Sequence, residues 1–268
     1  MYNIAFPNFN IYLNINKIAF SIGDIHIYWY GIIIAFAVLL CLFLAYKNNG
    51  KYGIKYSDIE NCMLIALPLA IVGARLYYVA FSWDYYKNNL SEIIKIWNGG
   101  LAIYGGILTA IFVIYIYCKS KKISVLSFLD FLAPLVALGQ AIGRWGNFAN
   151  REAYGSITNS LFRMEVLLNT GEHISVHPTF LYESIGLLAI FLFLYFIKRK
   201  YEGQKLSWYF ILYGVLRFGI EYLRTDSLYI GNLKVSMLVS VILVVVGATL
   251  AVAHRAEDKE ANKCKGDL

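Results

Sequence analysis

Arg75, Asp130, Arg144, Glu183, Arg217 and Glu221 each interrupt a stretch that is otherwise nearly free of charge. Guanidinium groups recognise phosphate through planar, charge-assisted hydrogen bonds, so Arg75, Arg144 and Arg217 at one depth would hold a phosphate-bearing anion. An Arg at the centre of a bilayer costs roughly 2.5–3.5 kcal/mol even on the lenient insertion scale, so each needs a partner or a function. A structural ion pair is the competing explanation, and Asp130, early in its stretch, is expected to be structural. Tyr213, Arg217, Glu221 and Arg224 recur at steps of four, four and three and share one helical face. On that face Glu221 either holds Arg217 or Arg224 or serves the ligand.

The elements that must position these groups are helices in lipid. The 268 residues are 59% hydrophobic and only 15% charged, far more apolar than a soluble domain. Runs long enough to span a bilayer fall near 25–46, 59–82, 101–118, 123–145, 178–197, 206–223 and 233–253. The expected fold is therefore all-α and integral to the membrane, one domain over residues 1–268 with about seven transmembrane helices. The net charge of +7 comes largely from loops after the odd-numbered runs, as at Lys47, Lys51 and Lys55, Lys119, Lys121 and Lys122, and Lys198, Arg199 and Lys200. Such loops face the cytoplasm, which places the N-terminus outside and residues 254–268 in a cytoplasmic tail; nucleic acid is not an expected partner. Asn8, Asn10, Asn14 and Asn16 interrupt residues 1–24, which therefore read as an external arm and not as a cleavable signal. Alternating helix direction then brings Tyr30, Arg75, Tyr104, Arg144, His177, Glu183, Arg217 and Glu221 toward one outer layer.

Metal and hydrolase chemistry find little support. Cys41, Cys62 and Cys118 lie in or at the ends of spans, Cys264 lies in the tail, and His26, His173, His177 and His254 are too scattered for a ligand motif. There is no G-x-S-x-G turn. No metal or other cofactor is expected. Residues 147–177 form an external region in which Phe162–Leu168, a turn at Asn169-Thr170-Gly171-Glu172, and His173–Val176 predict a hairpin. His177-Pro178 opens the fifth helix, with His177 either a cap residue or part of the site.

The segment Gly143-Arg144-Trp145-Gly146-Asn147-Phe148-Ala149-Asn150-Arg151-Glu152-Ala153-Tyr154-Gly155 resembles the G-R-x-G-N-F-x-N-x-E-x-x-G signature of the prolipoprotein diacylglyceryl transferase family. Four further segments are similar to that family in order: Trp29-Tyr30-Gly31, Trp97-Asn98-Gly99-Gly100 through Gly106, His177-Pro178 with Leu181-Tyr182-Glu183, and Arg217-Phe218 with Glu221 and Arg224. The resemblance spans roughly residues 25 to 225. It implies transfer of sn-1,2-diacylglyceryl from phosphatidylglycerol to the lipobox cysteine thiol of a prolipoprotein signal peptide, forming a thioether and releasing glycerol phosphate. It also implies a multi-pass protein of the bacterial cytoplasmic membrane with its active site toward the outer leaflet. Within it Arg144 and Arg217 would stabilise charge on the leaving phosphate. Asn147 would orient the headgroup, Glu152 and Glu221 would fix the guanidiniums, and Tyr30 would line the lipid path.

The reacting thiol belongs to the substrate and is only a few per cent thiolate at neutral pH unless assisted. Family members carry His in a G-G-x-x-x-H-G-G segment, whereas this chain reads Gly99-Gly100-Leu101-Ala102-Ile103-Tyr104-Gly105-Gly106. Tyr104 at the His position leaves the general base unassigned, since a phenol titrates near about pH 10. Gly105 and Gly106 are expected to leave the backbone beside it bare. A transporter or binding protein for an anionic lipid or metabolite is the alternative; it predicts polar groups through both leaflets, and no internal repeat supports it.

Overall fold

An apolar run in lipid can satisfy its backbone only by closing its own hydrogen bonds, and each run of this sequence is helical in the structure. The structure, a computed structural model, describes residues 2–168, 170–231 and 233–266, without the side chains of Asn98 and of 254–266. The N-terminal strands are β1 (Ile4–Phe6), β2 (Ile11–Leu13), β3 (Ile18–Ile22) and β4 (Ile25–Tyr28). Helices α1 (Trp29–Lys47), α2 (Tyr56–Phe81), α3 (Trp83–Tyr86), α4 (Ile103–Lys121) and α5 (Val125–Asn150) follow. Then come β5 (Met164–Leu167), β6 (His173–Val176), α6 (Thr179–Phe196), α7 (Gln204–Leu223), β7 (Tyr229–Ile230), β8 (Leu233–Lys234) and α8 (Val235–Gly266).

Six of these helices, α1, α2, α4, α5, α6 and α8 to Ala253, are long and apolar enough to cross a membrane. The seventh expected span, α7, is the right length, but Lys205, Arg217 and Glu221 make it less apolar. Two boundaries differ from the sequence expectation. Residues 25–28 belong to β4, so the N-terminal arm runs four residues further before Trp29 starts α1. Helix α5 continues to Asn150, which puts Asn147 on a helix and not in a loop. The tail residues His254 and Cys264 and the turn residue Asn169 lie outside the described side chains or residues.

The chain divides into two compact units, residues 1–44 with 129–268, and residues 45–128. In the first, β2, β1, β5 and β6 form an antiparallel sheet in that order, and the hairpin expected near 162–176 is its β5–β6 half. Two asparagines of the arm, Asn3 and the pattern-breaking Asn8, have structural roles. Asn3 exchanges side-chain hydrogen bonds with the backbone of Ile15 at 2.8 and 2.9 Å, and Asn8 donates to the Leu161 carbonyl at 2.8 Å. Ile4, Met164, Val166, Val176 and Phe180 form the sheet's buried core, with Phe148 and Leu181 packed against it. A fully buried apolar side chain contributes about 1.5–3 kcal/mol, so this cluster fixes the sheet on the ends of α5 and α6.

Between the helices of that unit, Ala133 and Ala137 of α5 meet Ile190 and Leu194 of α6 and Tyr209 of α7. Small side chains on α5 let its neighbours approach closely, the usual packing device where lipid gives no hydrophobic drive. Asp130, fully buried, accepts hydrogen bonds from the backbone N–H groups of Gly203 and Leu206 at 2.8 and 2.9 Å. It thereby caps the N-terminus of α7, the structural role expected of it.

The second unit is built on the crossing of α2 and α4. Gly73 of α2 lies against Gly105 and Thr109 of α4 so closely that a Cβ on either glycine would collide with the other helix. The expectation that Gly105 leaves bare backbone is therefore corrected: it is buried in a helix crossing.

Candidate active site

Arg144, three residues before Asn147 on α5, reaches α6 by donating from Nη2 to Glu183 Oε1 at 2.6 Å. From α7, Arg217 Nη1 donates to the other oxygen, Glu183 Oε2, at 3.1 Å, and its Nη2 donates to Glu221 Oε2 at 2.6 Å. One carboxylate thus joins two guanidiniums from two helices. Glu183 and Glu221 are buried, each 1% exposed, while the Arg144 and Arg217 side chains keep 22% and 14% of their surface. The anions lie inside and the cations form the accessible surface. The formal charges of these four residues cancel, which removes the cost of isolated charge in a dry setting. Each guanidinium has five N–H donors, so both retain donors for a ligand.

Glu221 therefore holds Arg217, one of the two partners expected for it. Arg224 instead pairs with Asp226 through two hydrogen bonds of 2.9 and 2.7 Å. Burial raises the Asp226 carboxyl, but the Arg224 hydrogen bond and charge outweigh it and hold the group below its ordinary range. Lys234 closes this end of α7 by donating to the carbonyls of Glu221 and Arg224, both at 2.7 Å. A cation at a helix C-terminus satisfies orphan carbonyls and complements the helix dipole.

Asn147 accepts from Arg144 Nη1 at 3.3 Å and donates to Glu152 Oε1 at 2.9 Å. Glu152, expected to fix a guanidinium, bonds Asn147 and Asn150 and is linked to Arg144 through Asn147. The turn that brings Glu152 back is held by its N–H donating to the Asn147 carbonyl at 3.0 Å. Tyr30 at the start of α1 lies flat on Gly146, where a Cβ would come within 2.7 Å of the ring. Gly146 is thus required for the approach of Tyr30 beside Arg144 and Asn147. Trp145 and Phe148, on other faces of α5, line an apolar groove of about 370 Å³ with Phe6, Phe9, Phe162 and Phe180.

His177 does not cap α6. Pro178 is the cap residue, and the His177 N–H and carbonyl bond Ser156 and Gly155 at 3.0 and 2.9 Å. Its ring stands 3.5 Å from the Tyr182 hydroxyl, at the limit of a hydrogen bond. Tyr213, on the face shared with Arg217, stacks on Tyr209 with ring centres 5.5 Å apart. Among the described residues, no cluster of three His, Cys, Asp or Glu side chains gathers to hold a metal.

In the other unit, Arg75 departs from the phosphate-binding role expected of it. Its guanidinium donates to five backbone carbonyls, those of Ile93, Gly99, Gly100, Glu92 and Lys95, at 2.6–3.4 Å. Gly100, at φ +72°, can sit over the guanidinium because it has no Cβ. With its donors spent on a loop and 5% of its surface exposed, Arg75 is a structural post. Tyr104 is the second residue of α4 and half-buried, and it belongs to this same unit.

Sequence alone marks Glu183 as an intramembrane charge without a role. The available signal was the imbalance of several arginines in apolar runs, which demands carboxylates, with Glu183 one turn into its helix.

A family model described as prolipoprotein diacylglyceryl transferase matches residues 17–253. The chain is 50% identical over 245 residues to the phosphatidylglycerol--prolipoprotein diacylglyceryl transferase of Finegoldia magna, covering 90% of this chain and 97% of the relative. It is 41% identical over 250 residues to the protein of that name from Streptococcus uberis, covering 91% and 96%. Against that of Lactococcus lactis the identity is 43% over 260 residues, covering 94% and 98%.

Proposed function

Because the chain belongs to the prolipoprotein diacylglyceryl transferase family, we propose that the Arg144–Glu183–Arg217 cluster is where phosphatidylglycerol gives its diacylglyceryl group to a prolipoprotein. The protein is a transferase of lipoprotein biosynthesis, with the apolar helices of an integral membrane protein. The observation that carries the site assignment is the shared carboxylate. Glu183 sets two guanidiniums side by side, and both keep accessible surface and unspent donors. Names shared with transferases give no support to the transporter alternative.

The reaction forms a thioether. A lipobox cysteine thiol gives up its proton, and the sulfur attacks the glycerol carbon that bears the phosphate ester. The S–C bond forms as the C–O bond breaks, and the electron pair leaves on oxygen as glycerol phosphate. Negative charge on the phosphate rises during departure, so preorganised donors aimed at those oxygens lower the barrier. Arg144 and Arg217 supply the donors, Asn147 and Glu152 keep Arg144 in place, and Glu183 and Glu221 fix the two guanidiniums from the buried side. Tyr30 borders the lipid path. Tyr104 is the candidate to handle the thiol proton, with His177 as the second candidate.

The arrangement in the membrane is part of the same reading. Seven helices including α7 span a bacterial cytoplasmic membrane as one domain, with the N-terminal arm and residues 147–177 outside and the tail inside. The cluster then faces the outer leaflet, where phosphatidylglycerol and an exported signal peptide meet. Mass spectrometry of a lipobox peptide mixed with purified protein and phosphatidylglycerol vesicles tests the reading. A diacylglyceryl adduct is expected; a peptide left unmodified under all lipid conditions would overturn it.

A further inference from the structure

The four charged residues at the centre of the site sum to zero, and Glu152 beside them adds a formal negative charge. An anionic lipid therefore meets no net positive charge from these five residues. Arg151 offers one. Among the described side chains it is the one arginine with neither a hydrogen bond nor an ion pair, and its Nε is buried without a partner. A buried donor left unpaired costs roughly 1–3 kcal/mol, so such a group calls for an explanation.

The backbone around it is also unusual. Arg151 and Ala153 both adopt left-handed conformations at φ +56°, where side chains other than glycine are disfavoured. The strain is held in place by Arg151 N–H donating to the Phe148 carbonyl at 3.0 Å and by Thr179 Oγ1 donating to the Ala153 carbonyl at 2.6 Å. This turn carries Glu152, which is tied through Asn147 to Arg144. The uncommitted guanidinium thus stands on the residue next to the chain of contacts that positions a catalytic arginine.

We propose that Arg151 is a further substrate-binding residue, whose guanidinium takes phosphate oxygens of the glycerophosphate group. Those oxygens arrive on the lipid headgroup and remain on the glycerol phosphate product. The inference rests on the transferase reading above. The missing protein partner leaves its donors for the ligand.

Three variants separate charge from strain: Arg151→Gly removes the cation and relieves the left-handed backbone, Arg151→Gln removes charge alone, and Arg151→Lys keeps charge without the planar fork. Transfer to a lipobox peptide is measured with phosphatidylglycerol titrated in neutral vesicles, and product inhibition with added glycerol phosphate. The Gly and Gln variants should raise KM for the lipid, or weaken glycerol phosphate inhibition, about tenfold or more, with kcat within about threefold; Lys should recover part of the loss. A change in KM alone assigns the contact to the bound lipid, and a change in inhibition alone assigns it to the product. If both constants stay at wild-type values, or if kcat alone falls, Arg151 holds no phosphate and the proposal fails. Wild-type activity in the same assay keeps the transferase reading separate from that outcome.

Discussion

Arg144 meets Glu183 across 39 residues of sequence through a 2.6 Å charge-assisted hydrogen bond, and the same carboxylate turns its second oxygen to Arg217. Removing Glu183 therefore leaves Arg144 without a carboxylate partner and Arg217 with Glu221 alone. Glu183→Gln should lower transfer by about 10²-fold or more, and loss of one partner from a buried pair costs about 3–5 kcal/mol. Arg144→Lys and Arg217→Lys keep charge but lose the planar fork, so transfer should drop strongly while membrane insertion survives. Vesicle transfer assays with insertion measured in parallel check this; full activity in both Arg→Ala variants would remove the arginines from the site.

Arg75 should behave differently from Arg144. Its five carbonyl partners belong to one loop, and a Lys with three donors cannot replace them. Arg75→Lys and Arg75→Ala are expected to lower thermal stability in detergent by several kcal/mol. Arg144→Lys should instead lower activity with a smaller change in melting. Equal melting temperatures for Arg75→Ala and wild type would show the loop to be held by something else.

Tyr104 is proposed to handle the thiol proton. If its hydroxyl donates to phosphate or relays the thiol proton, Tyr104→Phe should lower turnover by about 10²-fold. Tyr104→His should keep substantial activity. Unchanged turnover in the Phe variant would move the search for a base to His177 or Glu152.

The topology is tested with cysteines at exposed sites. Ser160 is half-buried and Gln204 buried, so neither is a clean reporter; Glu172 and Glu202 are exposed. A membrane-impermeant thiol reagent applied to intact cells should modify Glu172→Cys and spare Glu202→Cys. The reverse pattern would place the site on the other leaflet.

Asp226 gives a pH signature. Its carboxyl is depressed in the folded protein, so the Arg224–Asp226 pair stabilises fully above the ordinary Asp pKa of about 3.9 and is lost as pH falls through the folded value. The half-exposed carboxylate limits the gain to about 1 kcal/mol. Wild type should lose a small stability advantage over Asp226→Asn on acidification below about pH 4. An advantage that persists to lower pH would remove the pair as its source.

The sequence by itself determined the helices, because an apolar run in lipid has no other way to satisfy its backbone. It also marked a hairpin within 162–176 through strand propensity around a glycine turn, and it singled out Arg144, Arg217 and Glu221 by charge in apolar surroundings and Asn147 by the resemblance of its segment. What it left undecided was partnership. Arg75 and Arg144 are the same residue type in similar runs, yet one is consumed by loop carbonyls and the other retains donors beside a buried carboxylate. Periodicity fixes which residues share a face of one helix, but which donors and acceptors remain unspent depends on groups that other elements bring within about 3 Å. That distance scale belongs to tertiary structure. It is why Glu183 emerged as the joint between two arginines, why Glu152 acts through Asn147, and why Arg151 became visible as a cation without a partner.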